Sequence, residues 1–392
     1  MRPEASELQE LVQDLHQRAT PWLPAGCGSR LDWGPPVQAA PPVLSTARLN
    51  RIVALNPEDF TVTVQAGTPL VVLQQELAHH RQWLALDWPW GSGPRGENSG
   101  SVGGLVARGL AGGYRQRYLG VRDQLIGIGL LRADGTAARA GGQVVKNVAG
   151  YDLMRLLTAS WGSLALITEV TLRTLPQPPE RRGLWLSGPA QALAAMARWL
   201  LDSSLSPERI DWQQGAAGSG LLLSLASISA QTLEEQVACI RERAPELQVQ
   251  ELQPEELLER IGHGQGHGID QSVATSPWLL RLGVRPSALA SLLAERSLAR
   301  MHWSFGAGSG LGLAWAPGDA LAGYQVEALR RFCDGLGGHL AVLRQPAGTA
   351  IPAWRDAPSR PLIEAIKRQF DPKQQLAPGR LPGVQPTPLA GR

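Results

Sequence analysis

The sequence predicts an α+β protein of two domains. Three observations carry that expectation. Up to Leu175 the chain mixes short β-branched runs with helices that are apolar on one face. Pro176, Pro178 and Pro179 then break it. Beyond the break, a strand–helix–strand–strand–helix–strand rhythm occurs twice, which reads as an antiparallel sheet with helices on one face. The 392 residues exceed what one ordinary core holds. The expected division is residues 1–178, residues 179–355 and a C-terminal segment, 356–392.

In the first domain, Leu8, Leu11, Val12 and Leu15 mark a helix by their i, i+3, i+4, i+7 spacing. The loop Pro24 to Arg30 follows, then short strands at 43–44, 52–55 and 60–64. Thr68 and Pro69 start a helix whose inner face is Leu70, Leu73 and Leu77. A strand at 83–86 leads into a Gly-rich stretch, 91–113, holding a helix of small residues at 103–109. Ala133-Asp134-Gly135 between apolar runs is a hairpin signal. A helix at 151–160 and a strand at 164–175 complete the domain.

In the second domain the first set comprises strands at 183–186, 209–213, 221–225 and 247–252, with helices at 191–201 and 233–243. The second comprises strands at 279–284, 302–305, 311–315 and 339–343, with helices at 288–298 and 320–333. The pattern is compatible with a duplicated ferredoxin-like unit. Residues 345–360 read as loop. Leu362, Ile363, Ile366 and Phe370 mark a last helix, stopped by Asp371-Pro372.

Composition narrows the function classes. Net charge is +3 and charged residues are 18%, too dilute a positive field for an electrostatic nucleic-acid binder. Cys27, Cys239 and Cys333 are odd in number and far apart, so no disulfide framework, zinc site or iron–sulfur site is expected, which fits a reducing cytosol. No stretch approaches the roughly 20 apolar residues of a membrane span, so no transmembrane segment is expected.

Three Gly-rich stretches could carry chemistry. In Gly26-Cys27-Gly28-Ser29-Arg30 the glycines let successive N–H groups face one oxyanion, with the Ser29 hydroxyl as a further donor; a plain turn uses the same residues. In Ser99-Gly100-Ser101-Val102-Gly103-Gly104 the paired glycines admit a phosphate or ring to the backbone, or simply close helix packing. The third joins Lys146-Asn147-Val148-Ala149-Gly150-Tyr151-Asp152 to a helix. Arg115, Arg117 and Arg122 with Tyr114 and Tyr118 read as a solvated loop or phosphate contact. His263 and His267 sit among four glycines with no completing carboxylate, which reads as a loop and not a metal site.

The block 144–153, together with Gly162-Ser163-Leu164-Ala165-Leu166-Ile167-Thr168-Glu169, resembles the FAD-binding (PCMH-type) domain of the vanillyl-alcohol-oxidase-like flavoproteins. Among these the resemblance is to the FAD-binding E subunits of bacterial-type glycolate oxidases. Gly26 to Arg30, Val64-Gln65-Ala66-Gly67, Pro89-Trp90-Gly91, Gly103 to Ala107 and Val121-Arg122-Asp123 agree in the same order, as do Phe370-Asp371-Pro372 and Pro378-Gly379-Arg380 at the end. The resemblance implies a two-part FAD-binding domain with an antiparallel α+β cap. It implies a diphosphate over Ala25, Gly26, Cys27, Gly28 and Ser29 and near Ser101, Val102, Gly103 and Gly104. The flavin ring would face Lys146, Asn147, Gly150, Tyr151 and Ile167. Arg30, Pro89, Asp123, Asp152 and Gly162 are further implied cofactor contacts.

The sequence departs from that pattern at Trp161, where catalytic relatives carry an acidic residue, and at Ala377, in place of Asn. The cap lacks their His-rich motif; the nearest stretch is Phe305 to Gly312, with His302 three residues before it. No catalytic residue can be assigned. The expectation is therefore an FAD-binding subunit of a glycolate oxidase complex, acting with a catalytic flavin subunit and an iron–sulfur subunit on a small 2-hydroxy acid. It would be cytoplasmic and would meet a membrane only through partners. A stand-alone FAD-dependent 2-hydroxyacid dehydrogenase and a non-catalytic scaffold are the alternatives.

Overall fold

The computed structural model describes residues 1–37, 40–87, 100–142, 152–215, 218–264 and 277–386. The first part is built on a five-stranded antiparallel sheet. Its spatial order is Ile52–Asn56, Thr61–Gln65, Leu166–Arg173, Leu125–Leu131, Ala137–Gly141. Every residue of Leu125–Leu131 is buried, which explains why this strand reads as a continuous apolar run and does not alternate. The expected turn at 133–135 joins it to its hairpin partner, with Leu130 opposite Ala138. Leu70, Leu73 and Leu77 of the helix Leu70–His79 pack with Val62, Val64 and Val170 in one core. A smaller core joins Leu8, Val12 and Leu15 of the helix Leu8–Gln17 to Trp22, Leu44 and Leu376. Beside it Leu23–Ala25 runs parallel to Val43–Ser45 and launches the first Gly-rich loop.

The second part is one eight-stranded antiparallel sheet. Its order is Gln248–Leu252, Glu180–Ser187, Gly218–Ser227, Arg209–Gly215, His302–Gly306, Leu311–Ala316, Trp278–Gly283, His339–Arg344. Numbering the strands within each sequence repeat gives 4-1-3-2 and then 2-3-1-4. These are two ferredoxin-like units joined edge to edge through their second strands, with Asp211 opposite Gly306 at the seam. The join removes two open sheet edges. Leu193, Val237, Leu289 and Val326, one from each repeat helix, share a single core on one face. The opposite face meets the first part. There Leu279, Trp315 and Leu343 pack on Trp33, Leu110 and Trp161.

Several elements differ from expectation; the stretch with Arg115, Arg117 and Arg122, read as a loop, holds the short helices Arg115–Tyr118 and Val121–Gln124. The helix expected at 288–298 is broken into Pro286–Ala288, Leu289–Leu293 and Leu298–Arg300. Between the last two, the Glu295 carboxylate accepts from Ser297 N at 2.6 Å, offering the backbone an alternative to helical pairing. The strand expected at 83–86 covers only Gln82–Trp83, because the Gln74 amide takes both backbone groups of Leu84 at 2.9 Å. The helix expected at 151–160 is Leu153–Leu157. An unexpected helix, Pro254–Gly264, covers the outer half of the sheet through Leu257 and Ile261; glycines from 262 onward hid its i, i+4 signal. The rest of the His263–His267 stretch lies outside the described residues. Among the described residues no helix is long and apolar enough to cross a membrane.

Candidate functional site: a glycine-lined, arginine-walled cleft

The two Gly-rich loops that the structure describes meet face to face. Gly26 touches Ser101 so closely that a Cβ on it would lie 1.8 Å from Ser101 Oγ. Ser45 Oγ donates to Gly26 O at 2.7 Å and steadies the turn. Gly28 has φ +79°, a conformation that favours glycine. Among the described residues, no group accepts from the backbone N–H of Cys27, Gly28 or Ser29. On the facing side, Ser101 caps the helix Val102–Arg108, its hydroxyl accepting from Gly104 N at 3.3 Å. Gly103 is pressed on Ala66, and its N–H donates to Ala66 O at 2.7 Å. A Cβ on Gly104 would meet only Ser101 Oγ, at 3.2 Å, so this position is open.

Between the loops lies an open cleft with about 870 Å³ of free space, counted out to solvent. Ala25 through Arg30, Ser101, Gly103, Gly104, Gly162 and Ile167 all line it. Trp161 and Gly162, at φ +58° and +71°, turn the chain so that the indole forms one wall. Trp354 meets the Trp161 ring edge-on at 5.3 Å.

The electrostatics are one-sided. Arg30 and Arg108 line the cleft, and Arg380 stands behind it. Arg380 donates to Leu31 O at 2.5 Å and Pro35 O at 3.0 Å, fastening the loop from the far end of the chain. Burial pulls the Arg30 guanidinium down to about 10 and that of Arg380 to about 10, with Asp32 opposing in both. Arg108 is pulled below the ordinary arginine range by burial first, then by Arg380 and Arg30. Asp32, the carboxylate among these groups, is half-exposed and already paired with Arg344. Cys27 turns its thiol inward to Gly67 O at 3.7 Å, and burial pushes the thiol up.

Other implied contacts stand elsewhere. The Val102 side chain is buried in the core beneath the helix. Asp123 closes its own turn, accepting from Gly120 N at 3.1 Å. Asp152 pairs with Arg155 at the surface, at 3.2 Å. Pro89, Lys146, Asn147, Gly150 and Tyr151 lie outside the described residues. The residues that sequence reasoning missed are Arg108 and Lys367; Arg380 stood out only as part of the closing motif, with no role assigned at the cleft. Lys367 Nζ, in the helix Arg360–Phe370, donates to Ser163 O at 2.6 Å, Leu376 O at 2.9 Å and Asp371 at 2.5 Å. That buried pair holds the turn after Trp161 in place. A Lys–Asp pair at i, i+4 was its visible signal; nothing in the sequence showed that it would be buried.

Residues 3–141, which hold both loops and the sheet hairpin, match the family described as FAD binding domain. That stretch is similar to FAD binding domains. Its donor set fits that cofactor: backbone N–H groups with no acceptor among the described residues, beside a cluster of guanidiniums, suit a diphosphate, and the open Gly104 wall admits a flat group. The chain is 34% identical over 208 residues to glycolate oxidase subunit GlcE of Escherichia coli K12, covering 51% of this chain and 57% of that one. Glycolate oxidase subunit GlcD of Bacillus subtilis is 30% identical over 178 residues, 45% of this chain and 37% of that one. A D-2-hydroxyglutarate dehydrogenase of Xanthomonas citri is 34% identical over 185 residues, 47% and 38%. The match therefore spans between about a third and three-fifths of these relatives' lengths. Alkyldihydroxyacetonephosphate synthase shares the fold, with a TM-score of 0.67 at 14% identity over 96% of this chain and 75% of its own.

Proposed function

We propose that this chain is the FAD-binding subunit of a glycolate oxidase complex, supporting oxidation of glycolate to glyoxylate. Electrons would pass between it, a catalytic flavin subunit and an iron–sulfur subunit. FAD, when bound, supplies a two-electron acceptor for oxidation at a C–H bond bearing a hydroxyl. The backbone N–H groups of Cys27 to Ser29 bind and orient its diphosphate. Gly104, Gly162 and Ile167 leave a flat surface for the rest of the cofactor, and Trp161 and Trp354 exclude water behind it.

One observation favours a subunit over a self-sufficient dehydrogenase. The titratable side chains among the described residues lining the cleft are Cys27, Arg30 and Arg108. None takes a proton readily from a substrate hydroxyl at neutral pH: two are guanidiniums, and the third is a thiol pushed up by burial. His302 lies away from this lining, stacked on Trp315 at 6.1 Å. The similarity to a D-2-hydroxyglutarate dehydrogenase favours the second reading, a stand-alone 2-hydroxyacid dehydrogenase.

Anaerobic addition of glycolate to the purified yellow protein separates the two. The subunit reading predicts that the flavin absorbance persists in the isolated chain and bleaches when the catalytic partner is added. Bleaching by glycolate, D-lactate or D-2-hydroxyglutarate in the isolated chain would replace it with the second reading.

A further inference from the structure

We infer that Arg108 is a binding residue for the diphosphate bridge of the dinucleotide, the side-chain partner of the amide loop at 27–29. The inference rests on the FAD reading of this cleft and names a group that neither the Gly-rich motifs nor the implied contacts include.

Position comes first. Arg108 follows Gly104 by four residues on the helix Val102–Arg108, so the two share a face. Helical side chains lean toward the N-terminus, and glycine at 104 leaves that path clear. Arg108 accordingly reaches back along the cleft wall, and its Nη2 donates to Arg30 O at 2.7 Å. That carbonyl ends the very loop whose N–H groups have no acceptor among the described residues. The guanidinium and the amide nest are therefore tied together by one hydrogen bond.

Fixation comes second. The guanidinium carbon lies over the Trp161 ring, 3.9 Å from its centroid, a cation–π contact that limits its rotamers. A planar fork fixed in this way is preorganised to meet two oxygens of a diphosphate.

Charge comes third. Nη1 of Arg108 is out of solvent and has no hydrogen-bond partner among the described residues. Arg30 and Arg380 add positive charge beside it. The described carboxylate that acts on it, Asp32, is half-exposed and engaged by Arg344. An enclosed guanidinium without a counter-charge is costly, and a dianionic bridge between it and the amide loop removes that cost. Packing on Trp161 alone would account for that contact but not for a positive cluster at the mouth of an amide nest.

The test is ligand affinity of flavin-depleted full-length protein, followed by fluorescence, for FAD, riboflavin and inorganic pyrophosphate. Arg108→Gln should weaken FAD about ten- to a hundred-fold, the worth of one charge-assisted hydrogen bond. It should weaken pyrophosphate similarly and leave riboflavin, which has no phosphate, unchanged. Arg108→Lys keeps the charge but not the flat fork; it should give an intermediate loss confined to the phosphorylated ligands, and it serves if the glutamine variant fails to fold. Equal losses for FAD and riboflavin would make Arg108 a packing residue and overturn the inference. So would unchanged FAD affinity, with the FAD reading left standing. If the wild-type chain binds no FAD, that reading fails by itself. Pyrophosphate then decides the inference: binding that Arg108→Gln removes sustains it, and no binding by the wild type overturns it.

Discussion

Gly104 is the residue at which one side chain decides what the cleft can hold. Its Cβ position faces free space, with Ser101 Oγ at 3.2 Å as its nearest neighbour. An indole there would project into the cleft without disturbing the core beneath. Gly104→Trp is expected to purify folded and colourless, with flavin absorbance per chain at background and thermal stability near that of the wild-type chain without flavin. Retained flavin would displace the site from this wall. At the other extreme stands Cys333, buried among Val326, Leu329 and Leu340. Burial, then Asp334 and Glu295, push its thiol up to about 12 from the ordinary 9.0. The folded state thus holds the proton more tightly than the unfolded state. The resulting stability is fully present below pH 9.0 and is lost as pH rises toward about 12. Cys333→Ala should flatten the fall of urea-unfolding free energy over that window, whereas Cys239→Ala, at the surface, should not.

At the scale of elements, the contact of loop 25–30 with Ser101 matters more than either loop alone. Gly26→Ala puts a Cβ 1.8 Å from Ser101 Oγ and 2.9 Å from its Cβ, so the loops must part. FAD retention should fall in Gly26→Ala and recover in the double variant with Ser101→Gly, measured as flavin per chain after gel filtration. Additive losses would mean that the loops act independently. This scale is also where the sequence was most readable. Strands such as Leu125–Leu131 and helices such as Arg360–Phe370 carry periodic or continuous apolar patterns that local physics fixes. The failures are local competitions: Gln74 taking the backbone of Leu84, or Glu295 taking Ser297 N, where a side chain outbids the ladder. The Gly-rich loops were legible as anion-binding types because glycine's freedom is visible in the sequence. Arg108 over Trp161 and backed by Arg380 was not, since residues so far apart meet only through the fold.

Across the whole molecule, the two sheets are held together by a buried ionic cluster that no motif announced. Arg209, on the second strand of the cap, pairs with Asp211 beside it and with Asp87 of the first part at 3.0 Å. All three are nearly fully enclosed. Asp87 also accepts from Gly112 N at 2.7 Å and Tyr114 N at 3.3 Å, so the cap grips the chain just beyond the cleft-lining helix. Gly113 has no room for a side chain here; its Cβ would lie 2.0 Å from Asp211 Oδ1. Removing the cation leaves two buried carboxylates facing one another. Arg209→Met should cost about 3–5 kcal/mol of stability in urea unfolding, and the loss should shrink when Asp87→Asn and Asp211→Asn are added. A fall below 1 kcal/mol would mean that the domains are coupled by apolar packing alone. The duplicated ferredoxin-like cap, by contrast, was foreshadowed by its twice-repeated rhythm; only the edge-to-edge join at Asp211 and Gly306 needed the structure.

The most direct measurement is the flavin content of the purified full-length chain. Protein expressed with ample flavin, or incubated with excess FAD and desalted, should carry close to one non-covalent FAD per chain. Denaturation should release it, and chromatography should show it to be FAD and not FMN. A chain that folds, as shown by circular dichroism, but takes up no flavin would contradict the account at its centre.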